Sequence, residues 1–89
     1  MLTNQEIRDL AIKYLLNNGY PIIEDTCRIV LPHEETRKEY RDYVTENNVA
    51  CVSFDSNFDP DLPNQDLLPY AFIVFVNILT GEVSMVRHM

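Results

Sequence analysis

The sequence predicts an α+β fold: an N-terminal helix packed on a small antiparallel sheet of about four strands, a possible second short helix, and a C-terminal β-hairpin. Three observations lead there. A helix-start signature at Thr3 is followed by apolar residues at helical spacing. Residues 70–79 are apolar on both faces of an extended chain, as in a strand covered on both sides. A Thr80-Gly81 step separates that run from a shorter alternating one, which is the pattern of a hairpin.

The first helix is the best-signalled element. Thr3 and Glu6 have the spacing of a capping box, and Leu2 and Ile7 that of a hydrophobic staple. Thr3 can satisfy a free amide of the first turn while Glu6 reaches back and meets the positive end of the helix dipole. Ile7, Leu10, Ala11, Tyr14 and Leu15 fall on one face. Gly19 suits the left-handed residue past the end, and Pro21 blocks continuation, so the helix is expected over residues 4–18.

Residues 22–31 read as a half-buried strand, with Ile23, Cys27, Ile29 and Leu31 on one face and Glu24, Thr26 and Arg28 on the other. Residues 33–48 admit two readings. A Glu34–Lys38 pair four apart and a thin stripe of Thr36, Tyr40, Tyr43 and Val44 favour a helix, whereas the tyrosines and Val44 also suit a strand. Residues 49–54 are a short β-type run ending at Asp55. Pro60, Pro63 and Pro69 with several Asn and Asp make residues 56–69 a long loop, of the length that is often functional. Phe72, Val74, Val76 and Ile78 then alternate with Ala71, Ile73 and Phe75, and residues 82–87 return as the partner strand. The N-terminal helix can cover one face of that sheet, and either residues 33–48 or another molecule must cover the second.

With 89 residues, the chain is read as a single domain, residues 1–89. A domain of this size buries only about 60% of its unfolded surface, so a large leftover apolar face needs a partner. The first residues lack a basic segment followed by an apolar one, and no apolar run approaches the ~18 residues that span a bilayer, so a cytoplasmic protein with no membrane contact is expected. Cys27 and Cys51 lie in apolar surroundings without CxxC spacing and are read as buried reduced thiols.

The net charge of −7 is unevenly placed. Up to Arg41 the two signs nearly balance, but residues 42–86 contain no Lys or Arg and carry Asp42, Glu46, Asp55, Asp59, Asp61, Asp66 and Glu82. Nucleic acid would be repelled from such a surface, because its affinity rests on cations that neutralise phosphates. A basic protein would be attracted.

Candidate chemistry is sparse. Asp55, Asn57, Asp59, Asp61 and Asp66 alternate somewhat like the oxygen ligands of a calcium loop, but Pro60 stands where such loops need a glycine, and no metal or other cofactor is expected. A cysteine nucleophile would need His33 or His88 and electropositive surroundings, which the region around Cys51 lacks. Glu34-Glu35 is read as a solvated charge run, since a general acid needs a partly buried site that raises its pKa. Gly19 and Gly81 are the only glycines and both serve turns, which leaves no phosphate-binding loop.

The order of helix, strand ending near Pro32, short strand with Val52, Phe54 and Ser56, acidic proline-rich loop, and the final hairpin with Thr80-Gly81-Glu82-Val83 resembles two sets of small bacterial α+β domains. One is the PepSY-like and cystatin-like domains, and the other the immunity proteins of contact-dependent and polymorphic-toxin systems. The second resemblance implies a non-enzymatic protein that binds and neutralises a cognate toxin, here a basic one. The expected contact residues are Asp55, Asp59, Asp61 and Asp66, with Phe58 and Leu62 as apolar anchors. The alternatives are a module that forms a homodimer through the sheet face Phe72, Val74 and Val76, and a small calcium-binding protein.

Overall fold

The computed structural model describes residues 1–56 and 71–85. Its elements run in the order α1 (Asn4–Asn17), a 3₁₀ turn (Glu24–Thr26), β1 (Arg28–Val30), a second 3₁₀ turn (Pro32–Glu34), α2 (Lys38–Asn47), β2 (Val49–Asp55), β3 (Ala71–Asn77) and β4 (Val83–Met85). The four strands form one antiparallel sheet in the order β1-β2-β3-β4. The expected α+β architecture is present, including the second helix.

Helix α1 starts as its sequence dictates. The Thr3 hydroxyl accepts from Glu6 N at 3.2 Å and the Glu6 carboxylate accepts from Thr3 N at 3.1 Å, which closes the capping box. At the other end Gly19 has φ +77°, and Tyr20 N donates to Leu15 O at 3.0 Å while Gly19 N donates to Leu16 O at 3.1 Å. That pair of bonds is a Schellman motif, which stops the helix at a residue without a Cβ.

Register decides which residues share a face. Ala50, Val52 and Phe54 lie opposite Val76, Val74 and Phe72, and all six are buried beneath Ile7, Ala11, Ile12 and Leu15 of α1. Fully burying each phenylalanine is worth about 1.5–3 kcal/mol. The row Phe72, Val74 and Val76 is therefore not a free face for a second copy of the chain, as the sequence reading allowed; these residues are at most 1% exposed. On the reverse face Val49, Cys51 and Phe75 pack under Val44 of α2, with Val30 and Tyr40 at the margin. Both faces of β3 are thus covered from within the chain, which is why this strand tolerates an apolar residue at nearly every position.

Residues 22–31 do not form one strand. Ile22 bridges Ser56 and Arg28 pairs Ser53, so the five residues between these pairings on one segment answer two on the other, and the surplus loops out as the first 3₁₀ turn. Thr26 holds that detour. Its hydroxyl donates to Ile23 O at 2.6 Å and accepts from Asp55 N at 2.8 Å, replacing a ladder bond with a side-chain one. Cys27, Ile29 and Leu31 still pack on the α1 side, whereas Ile23 is 40% exposed.

The segment before α2 also departs from expectation. The helix begins at Lys38, so Glu34 is outside it, and its carboxylate accepts from Leu31 N at 3.1 Å. Thr36 is exposed and belongs to no stripe. Asn48, with φ +53°, ends α2 in the left-handed region that asparagine tolerates. The hairpin turn is longer than a Thr80-Gly81 step. Asn77 Oδ1 accepts from Leu79 N at 2.8 Å and Thr80 N at 3.0 Å, and Gly81 N closes back on Asn77 O at 2.8 Å. Among the described residues no helix is long and apolar enough to cross a membrane.

Candidate functional site

The one buried carboxylate among the described residues is Glu35, in the short extended link between the second 3₁₀ turn and α2. Both Glu35 and Arg37 have extended backbone, so side chains two apart fall on the same side. Arg37 donates to Glu35 from its backbone N, from Nε and from Nη2, each at 2.9 Å. The Cys51 thiol of β2 lies near enough to the carboxylate for each to shift the other's ionisation. The glutamate side chain is 2% exposed and the arginine 41%, so the pair has one foot in the core and one in water. The Arg37 guanidinium carbon lies 4.7 Å from the centroid of the Tyr40 ring, which fixes its plane from below.

This corrects the reading of Glu34-Glu35 as a solvated charge run: Glu34 is exposed and Glu35 is not. Burial here does not make an acid catalyst. The hydrogen bonds from the Arg37 side chain outweigh burial and hold the Glu35 carboxyl down at about 2, so it stays ionised and is a weak base. Cys51 is driven the other way. Burial first, then the neighbouring Glu35 carboxylate and its charge, push its thiol up to about 12, which leaves almost no thiolate at neutral pH. The trio acts as a clasp that fastens the start of α2 to the sheet. In the sequence, only the Glu-Thr-Arg spacing just after Pro32 hints at it.

Of the residues expected to meet a partner, Asp55 is described. It is exposed at the end of β2, where its backbone is bound by Thr26 and its carbonyl accepts from Ile23 N at 2.9 Å. Phe58, Asp59, Asp61, Leu62 and Asp66 lie outside the described residues, and with them the calcium-like pattern; among the described residues no group of three His, Cys, Asp or Glu could hold a metal ion. Both cysteines are free, but they differ in burial. Cys51 is buried on the α2 side, and Cys27 is half-buried on the α1 side, so the sheet separates them. His33 is exposed and His88 lies outside the described residues.

A second cluster lies on the outside of α2. Tyr43 rests on Phe75 with ring centroids 4.9 Å apart, and Tyr40 meets the same ring edge-on at 5.9 Å. Around them Glu39, Asp42 and Glu46 are exposed, and none of the three is in an ion pair among the described residues. Comparisons with family models, with curated proteins and with solved structures find no match to this chain.

Proposed function

We propose that the protein is a non-enzymatic binding module that recognises a basic protein partner, acting as an immunity protein that neutralises a cognate cationic toxin. The observation that carries this reading is the stretch of residues 42–86, which has seven carboxylates and no Lys or Arg. Within it Asp42, Glu46, Asp55 and Glu82 are exposed, so their field reaches the solvent. A surface of one sign speeds encounter with the opposite sign and rejects wrong partners. Asp55, Asp59, Asp61 and Asp66 would supply charge to such an interface, and Phe58 and Leu62 its apolar anchors. The state of Glu35 and Cys51 is in keeping with binding, because neither is tuned for proton transfer or nucleophilic attack at neutral pH.

Co-expression with the product of the adjacent gene tests the proposal. If that product is toxic on its own, the chain should restore growth and should co-purify with it in a complex that weakens as salt is raised. A neighbour that is harmless alone, or whose toxicity persists undiminished, overturns it.

A further inference from the structure

A basic partner must meet a particular face of the domain. We propose that this face is the outer side of α2, where the exposed Tyr43 ring receives an arginine-bearing or lysine-bearing segment of the partner protein. The inference rests on the binding function proposed above and assigns a surface to it.

Tyr43 is 46% exposed although one side of its ring lies against Phe75. Of its four neighbours at helical spacing, Glu39, Tyr40, Glu46 and Asn47, two are acidic. Glu39 is four residues before it and Glu46 three after, while Asp42 is three from Glu39 and four from Glu46. On the sheet, Val83 packs on the α1 side and Ser84, the next residue of β4, lies opposite Phe75 on the α2 side.

This arrangement does not help α2 itself. Like charges three and four apart oppose a helix. The last turn, where a cation would favour the dipole, has no basic residue and contains Glu46, while Lys38 sits in the first turn. Arg41 lies two residues from Tyr43, roughly on the opposite side of the helix. Lys38, four residues before Asp42, is the one cation of α2 at helical spacing from these acids, so three carboxylates stand against one ammonium and the face keeps a net negative charge that a cation brought by a partner would offset. The chain already shows the mode of contact, because Arg37 stacks over Tyr40 of the same helix. A guanidinium over Tyr43 would repeat it, with Glu39 and Glu46 in reach as hydrogen-bond acceptors.

The test is an amide NMR titration of the whole chain with a hexa-arginine peptide, with hexaglutamate as the control. Saturable shifts centred on residues 39–47 and on Phe75 and Ser84 are expected, and none with hexaglutamate. Tyr43→Leu keeps an apolar contact with Phe75 and should weaken binding about twofold to fivefold. The triple substitution Glu39→Gln, Asp42→Asn, Glu46→Gln should weaken it about tenfold or more. Shifts confined to other residues, or an affinity unchanged in both variants, overturn the assignment. The two proposals fail separately. Growth rescue undiminished by the triple variant removes this surface and leaves the function standing, whereas no rescue by the unaltered chain removes the function whatever the titration gives.

Discussion

Replacing Arg37 by Met keeps an apolar stem over Tyr40 and removes the charge that holds Glu35. The ordinary carboxyl value of 4.5 falls to about 2 in the folded chain, a difference worth about 3 kcal/mol of stability at neutral pH. Water reaches the guanidinium, which is 41% exposed, and screening brings the figure toward about 2 kcal/mol. A second route gives a similar answer. Breaking a buried pair from one side costs about 3–5 kcal/mol, and here the lower end applies because the carboxylate keeps the hydrogen bond from the residue 37 amide. A domain of this size has roughly 4–13 kcal/mol in total, so the loss is a large share. In urea the midpoint should fall by about 1–3 M. The sign with pH follows from the lowered value: the unfolded chain takes up its proton near 4.5 and the folded one near 2, so the wild-type advantage is full above 4.5 and disappears as pH falls to about 2. The gap between wild type and Arg37→Met should therefore narrow from about 2–3 kcal/mol at pH 7 to under about 1 kcal/mol near pH 2. Adding Glu35→Gln to the variant should recover at least half of the loss, since no charge is then stranded. A gap below about 0.5 kcal/mol at pH 7, or one that does not change with pH, would refute the clasp.

Two further outcomes follow from the same geometry. With its thiol at about 12 rather than the ordinary 9.0, Cys51 should react with Ellman's reagent at pH 8 about a thousandfold more slowly than an unfolded thiol, and reaction as fast as that of Cys27 would contradict its placement. Gly81→Ala should destabilise by about 1–2 kcal/mol, because φ is +81° and the new Cβ would come 3.3 Å from Leu10 Cδ1. Gly19→Ala shares the positive φ but meets nothing within 4 Å, so by thermal unfolding it should cost less; the reverse order would show that Leu10 gives way freely.

Local chemistry in the sequence determined the capped first helix, the strand cores of β2 and β3, and the hairpin. Each depends on near neighbours: Thr3 with Glu6, Gly19 with the end of its own helix, and the two-residue period of Phe72 to Val76. Alternation also told that β3 is covered twice. It could not tell by what, because the cover for Val49, Cys51 and Phe75 comes from Val44, which is distant in sequence from β3 and lies in a segment whose pattern leans to a helix but whose tyrosines also suit a strand. Tertiary pairing decided that residues 22–31 break, since the mismatch between Ile22–Ser56 and Arg28–Ser53 exists only once the strands meet. It decided the clasp too. Glu34 and Glu35 are chemically identical neighbours, and only the placement of β2 beneath the link sends one to the solvent and the other against Cys51, where burial raises the energy of a bare charge and makes the Arg37 partner indispensable.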